Sequence, residues 1–333
     1  MLLIANTHKD YKDTSVVKNL INSGVDVLRF NLSYGTKEEN IEKINIAKEV
    51  IKDSKRDVKI MADLPGNKIR IGKLTIDPLV VKKGDELFFS GNIGLVCDVP
   101  VLLPGIEKYV DIGDIITYKD GELAFSVIEL SKNGFKAIAL NNYEITSNKG
   151  VNFQRAIDTL EHLTLKTIEQ IEVVNKTKPY FVAFSFANSR SAMVKNKKAL
   201  FKNIDKEYKP MIVGKIESEL GIKNIEEIVD ECDWIMSARG DLALNAPFSK
   251  LGIYQKIITK KTKAKGKKVI VATQILDSLL SNHIPSRGDI LDVTNIVLDG
   301  NDGLMFSCTS SAKDPGEIVR VAKEIITATE PTL

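Results

Sequence analysis

The run MIVGKIESEL, residues 211–220, sets Lys215 and Glu217 two residues apart in a segment whose Met211, Ile212, Val213 and Ile216 call for burial. Side chains alternate faces along a strand, so Lys215 and Glu217 point the same way. Neither charge is buried cheaply without a partner or a metal. Two readings stand open: a strand end where both reach solvent and pair, or a site built for charge chemistry. Polar residues cluster where the chain's other apolar runs stop, at Arg29, Asn31, Ser33, Asp63, Ser185, Arg239, Asp241, Thr273 and Ser307. Glu217 and Asp241 end successive runs, so their carboxylates could converge on a hard divalent cation such as Mg2+. Arg29 and Lys215 could then hold phosphate or carboxylate oxygens. The competing reading is an inter-strand ion pair with Lys215 or Arg239. None of the three histidines, His8, His162 and His283, falls at such an end, which suits chemistry with no imidazole base.

The elements that must position these residues recur along the chain. Apolar runs lie at LLIAN (2–6), VDVLRFN (25–31), VKIMADL (58–64), YFVAFSF (180–186), MIVGKIE (211–217), WIMSARG (234–240), VIVATQ (269–274) and GLMFS (303–307). Between most of them lie helical patterns such as TSVVKNLINSG, KEENIEKINIAKEVIK and YQKIITKKTKAKG, with Gly24 and Gly266 at helix ends. Apolar strands alternating with helices predict a parallel sheet. Eight such units predict an α/β protein with a (β/α)8 TIM barrel, whose strand ends meet at one catalytic mouth. An open doubly wound sheet is the rival, and no Gly-rich phosphate loop follows the first run to support it. From about Lys73 to Lys149 the texture becomes turn-rich, with Asp-Gly and Asn-Gly pairs that signal hairpins. The expected organisation is barrel over 1–72, a small all-β domain over 73–149 inserted after strand 3 as a mobile cap, and barrel again over 150–333.

A chain of 333 residues, 43% hydrophobic, can bury a large core. Its net charge of +3 argues against nucleic acid as the main partner. Cys97, Cys232 and Cys308 lack metal-ligand spacing, and their odd count suits a reducing compartment. MLLIAN is too short for a signal peptide and no apolar run reaches membrane-spanning length. A soluble, cytoplasmic protein is expected.

The ordered segments RFNLSYG, ADLPGNKIRIG, YKDGEL, KGVN, VGKIES, MSARGDLAL, VATQILDSL, PSRGD and NIVLDGNDGLMFS resemble the pyruvate kinase family, in register from about residue 14 to the C-terminus. The resemblance implies Mg2+- or Mn2+-dependent phosphoryl transfer between phosphoenolpyruvate and ADP, giving pyruvate and ATP in glycolysis. By similarity, Lys215 neutralises the phosphoryl group, Arg29 binds it, and Glu217 and Asp241 are the metal ligands. Backbone amides around Gly240 and Asp241, together with Ser185, take the substrate. Thr273 lies beside the enolate carbon where the proton is delivered. Arg70, Asn31, Tyr34 and Lys149 face the nucleotide. Such chemistry is mostly positioning and charge neutralisation. Many family members need K+, and Asn31, Ser33 and Asp63 match three of its ligands. Here Lys68 stands where K+-dependent members carry glutamate, so an ammonium replaces the ion and K+ is not required.

Departures from the family pattern carry expectations of their own. The chain stops at EIITATEPTL, where members continue into a domain with a sugar-phosphate effector site. Sugar phosphates are therefore expected not to activate, and oligomers to form through barrel faces around Arg287. NTHK (6–9) replaces T-I-G-P, Tyr34 replaces a histidine, and SCTSSA (307–312) replaces S-G-E-T-A. Most of these changes touch the nucleotide region. An enzyme acting on another 2-oxo acid, enol phosphate or phosphate donor is the alternative, and a non-catalytic binding or regulatory protein a further one.

Overall fold

Eight of the apolar runs become parallel strands. The computed structural model describes residues 1–333 apart from 8–11, 93, 154–162, 203, 206 and 333. His8, Lys9 and His162, named above, lie outside the described residues. In chain order the first three strands are β1 (Leu2–Asn6), β2 (Val27–Asn31) and β3 (Lys59–Leu64). Eight short strands follow: β4 (Leu79–Val81), β5 (Glu86–Ser90), β6 (Val99–Pro100), β7 (Ile115–Tyr118), β8 (Leu123–Ser131), β9 (Gly134–Ala139), β10 (Tyr143–Ile145) and β11 (Val151–Asn152). The last five are β12 (Phe181–Phe184), β13 (Met211–Ile216), β14 (Trp234–Ala238), β15 (Lys268–Ala272) and β16 (Gly303–Phe306). Strands β1, β16, β15, β14, β13, β12, β3 and β2 pair in that order and close on themselves, the (β/α)8 barrel expected.

Helices α1 (Thr14–Ser23), α2 (Lys37–Ser54), α3 (Leu165–Thr177), α4 (Arg190–Phe201), α5 (Glu219–Lys223), α6 (Ile225–Asp230), α7 (Arg239–Leu244), α8 (Leu251–Ala264), α9 (Arg287–Leu298) and α10 (Pro315–Thr329) complete the alternation. Their ends follow local chemistry. Thr36 and Glu39 form a reciprocal capping box on α2. Gly24 ends α1 at φ 97°, a conformation that glycine adopts without steric cost.

Barrel register decides which side chains face inward. Ile4 pairs with Val27, Arg29 with Met61, Ala183 with both Asp63 and Val213, and Lys215 with Met236. Ile4, Val27, Met61, Ala183 and Val213 belong to one buried apolar cluster with Phe181, Trp234, Met236, Ile270 and Met305. Two residues further along each of the first five positions stand Asn6, Arg29, Asp63, Ser185 and Lys215, which share the inward parity. The same face is therefore apolar through the barrel and polar at the carboxyl ends. At the opposite ends, the Lys59 ammonium lies 5.2 Å from the Tyr180 ring centroid and that of Lys268 5.1 Å from the Trp234 ring.

A second compact unit comprises Asn67–Glu161 and Asp241–Ser249. It differs from the 73–149 expected from composition, because Ile69, Ile71, Val151 and Phe153 are buried in its own core. Its sheet runs β11-β7-β8-β9-β5-β6, with β10 and β4 as a separate pair. Phe89 stacks on Phe135 at 5.2 Å and meets the edge of Phe125 at 5.1 Å. Each such ring pair adds about 0.5–1.5 kcal/mol beyond area burial. Lys132 and Asn133 alone join β8 to β9, as the Asn-Gly signal predicts.

Candidate active site

In the barrel unit, four charged side chains interlock at the carboxyl ends of the strands. Lys215 Nζ stands 3.2 Å from Asp63 Oδ1, 2.9 Å from Glu217 Oε1 and 3.0 Å from Ser185 Oγ. Arg29 donates to Asp63 Oδ2 through Nε at 2.8 Å and again through Nη2, and its Nη1 donates to Asn6 Oδ1. Glu217 Oε2 accepts the Phe186 amide at 2.7 Å, and Ser185 Oγ donates to the Leu64 carbonyl at 2.9 Å. All four charges are buried, Glu217 and Asp63 to 1% exposure and Lys215 to 7%. The ion-pair reading of Lys215 and Glu217 is thus realised, in the interior rather than in solvent. Two cations face two carboxylates with little water, which makes each charge potent toward a third, incoming one.

Burial alone would raise the Asp63 carboxyl, but the charges of Lys215 and Arg29 and their hydrogen bonds outweigh it and hold it below the usual aspartate range. A depressed carboxyl contributes stability that is complete above the unfolded value, about pH 4, and is lost as pH falls through the folded one. Urea midpoints of the parent chain should therefore drop more steeply than those of Asp63→Asn on acidification below about pH 4. Parallel acid limbs in the two proteins would contradict this.

At the carboxyl end of β15, Thr273 stands at φ 77° and Gln274 at φ 51°. A Cβ placed on Gly240 would come 2.9 Å from Thr273 Cγ2, so that residue can only be glycine if Thr273 is to stay where it is. Asn31 and Tyr34 are exposed, with Asn31 Oδ1 accepting the Ser33 amide at 3.0 Å and the Ser33 carbonyl accepting Lys166 Nζ at 2.7 Å.

The second unit holds the remaining expected residues. Lys68 Nζ lies 3.2 Å from Asp241 Oδ1, each side chain about a third exposed. Arg70 Nη1 donates to the Asn148 carbonyl at 2.9 Å, and the Ile71 amide donates to the Lys149 carbonyl at 2.9 Å. Arg70 and Lys149 therefore share one edge of that unit.

Arg29, Asp63, Ser185, Lys215 and Glu217 thus come together as one cluster. Asn6 is absent from the expected residues, although it orients Arg29. Its signal was the alternation Leu2, Ile4, Asn6, which puts a polar group on the inward face at the end of β1. Arg239 carries its charge elsewhere, pairing with Asp292 at 2.8 Å.

Buried cations and carboxylates at the carboxyl ends of a closed (β/α)8 barrel define a barrel enzyme, because in this fold that face carries the chemistry. Comparison with known proteins says which. The family model for the pyruvate kinase barrel domain matches residues 4–318. The chain is 34% identical over 331 residues to a pyruvate kinase of Thermococcus litoralis, covering 98% of this chain and 69% of that one. It is 33% identical over 321 residues to a pyruvate kinase of Thermotoga maritima, covering 96% and 68%. A solved structure of a pyruvate kinase from Cryptosporidium parvum is similar with a TM-score of 0.90 at 27% identity, covering all of this chain and 69% of that one. The chain belongs to the pyruvate kinase family, and it is a phosphotransferase. Among the described residues no helix is long and apolar enough to cross a membrane.

Proposed function

We propose that the chain transfers a phosphoryl group between phosphoenolpyruvate and ADP, giving pyruvate and ATP with a divalent cation. The observation that carries this reading is the Lys215 ammonium, buried and held between Asp63 and Glu217 with Arg29 close by. Phosphoryl transfer develops charge on oxygens and needs fixed cations more than a nucleophile. In this reading Lys215 and Arg29 neutralise the transferring group, and Ser185 with the Gly240 and Asp241 amides holds the substrate. As the phosphoryl group leaves for the ADP oxygen, the enolate carbon takes a proton from the Thr273 hydroxyl, which recovers one from water. Arg70 and Lys149, neighbours in their unit, bind nucleotide phosphates, with Asn31 and Tyr34 also assigned to the nucleotide.

The residues fit a hard divalent cation, Mg2+ or Mn2+. Such ions take carboxylate oxygens, and Glu217 is a buried carboxylate already facing a cation. The family pattern adds Asp241 as the second ligand. Bound there, the cation would neutralise enolate and phosphate oxygens. Asp241→Asn should abolish turnover while leaving the unfolding free energy within a few tenths of a kcal/mol, because both side chains of the Lys68–Asp241 pair are about a third exposed. Undiminished turnover in that variant would remove the assignment.

Lys68 stands where K+-dependent members carry glutamate, and an ammonium is itself a compact cation. Activity in Tris or tetramethylammonium buffer should hardly change on adding K+, and Lys68→Glu should become K+-dependent or inactive. Strong K+ stimulation of the parent would contradict the proposal.

Tyr34 and SCTSSA keep a second reading in view, in which the same lysine and metal serve another phosphate donor or 2-oxo acid. Assaying phosphoenolpyruvate against a panel of nucleoside diphosphates separates the two. A preference for ADP supports the first reading, and turnover only with a different acceptor the second.

A further inference from the structure

Arg239 follows the last residue of β14 and opens α7, so strand alternation does not dictate where its side chain goes. Its side chain is 11% exposed and its guanidinium fully engaged within the barrel unit. Nε donates to the carbonyls of Ala272 at 3.3 Å and Thr273 at 3.1 Å. Nη2 donates to Thr273 at 2.6 Å and Gln274 at 3.1 Å. Nη1 donates to Gln255 Oε1 at 3.3 Å and Asp292 Oδ1 at 2.8 Å. Three consecutive carbonyls are thus gathered by one rigid fork, itself anchored from α8 and α9.

The backbone it gathers is one that side chains avoid. Thr273, Gln274 and Leu276 have φ of 77°, 51° and 59°, and none is glycine. For a β-branched threonine this is a genuine outlier. Such strain persists only where the surroundings over-determine it, and it concentrates where a side chain must be aimed. On the other side, Gly240 leaves just enough room for the Thr273 methyl group. Backbone and methyl are both fixed, so the direction of the Thr273 hydroxyl is fixed with them.

We infer that Arg239 is a positioning residue that aims the Thr273 hydroxyl for delivery of the proton to the enolate carbon; this rests on the role given to Thr273 above. Arg239 acts through carbonyls and not on the substrate. Lysine keeps its charge, but its three N–H bonds radiate from a single nitrogen and cannot reproduce a planar fork that holds three carbonyls together with Gln255 and Asp292. Asp292 and Gln255 keep the fork in plane.

The test measures two reactions of the full chain. One is ATP formation from phosphoenolpyruvate and ADP. The other is deuterium uptake into the methyl group of pyruvate in D2O with ATP and Mg2+, followed by proton NMR. Arg239→Lys should slow deuterium uptake by about a hundredfold, the scale of a 1 Å misplacement, with KM for phosphoenolpyruvate changed by about twofold at most. Thr273→Val should slow uptake at least as much, and adding Arg239→Lys to it should change uptake by no more than about twofold. A merely structural role would instead give effects that multiply. If Arg239→Lys does not fold, Asp292→Ala removes one anchor and leaves the carbonyl contacts; its smaller slowing should likewise vanish in the Thr273→Val background. Normal uptake in Thr273→Val would overturn the role of Thr273 and this inference together. Normal uptake in folded Arg239→Lys or Asp292→Ala, with uptake lost in Thr273→Val, would overturn this inference alone.

Discussion

Lys215→Ala should lower kcat by about 10²–10³-fold, the scale of losing one preorganised electrostatic stabiliser, while KM for phosphoenolpyruvate moves far less. The reason is where the charge sits. Its ammonium is buried and held at three points by Asp63, Glu217 and Ser185, so no reorganisation is needed when charge develops on the transferring group. Interactions that strengthen only in the transition state raise kcat, whereas uniform binding shows up in KM. A variant with kcat preserved and KM raised would show that Lys215 merely binds substrate.

Asp63→Ala should be the most destabilising change at the mouth, by about 3–5 kcal/mol, because it strands buried charges. Arg29 and Lys215 both lean on this one carboxylate, and neither has solvent to turn to. Turnover should fall with it, since both cations lose their fixed positions. The exposed pair Lys178–Asp205, 2.7 Å apart with both side chains half-exposed, provides the contrast. Asp205→Ala should cost about 0–1 kcal/mol and leave activity alone. Urea unfolding of the two variants checks both values, and equal losses would mean that burial does not set the strength of the Asp63 network.

Eight near-continuous apolar runs alternating with helical patterns make the barrel legible in the sequence, and the two-residue repeat of side-chain direction makes the polar mouth legible too. Arg29, Asp63, Ser185 and Lys215 are each two residues beyond an inward apolar position, so strand parity alone aims them at one another. Where the strand ends, that signal ends. β12 stops at Phe184, and Phe186 turns at φ 51° so that its amide meets Glu217, something no alternation rule supplies. Arg239 begins a helix, and its partners Gln255 and Asp292 are 16 and 53 residues away. The left-handed turn at Thr273 and Gln274 lacks the glycine that would mark it. The boundaries of the β unit are hard to read for a related reason. Ile69, Ile71, Val151 and Phe153 are apolar residues that serve either core equally well on composition, and only tertiary packing assigns them.

The most direct measurement of the central claim is phosphorus NMR of the purified chain mixed with phosphoenolpyruvate, ADP and Mg2+. The account predicts that the enol phosphate resonance decays as the γ-phosphate resonance of ATP grows in step, and that neither changes with Lys215→Ala over the same time. Loss of the enol phosphate into inorganic phosphate alone, or no change under these conditions with the folded parent chain, would contradict it.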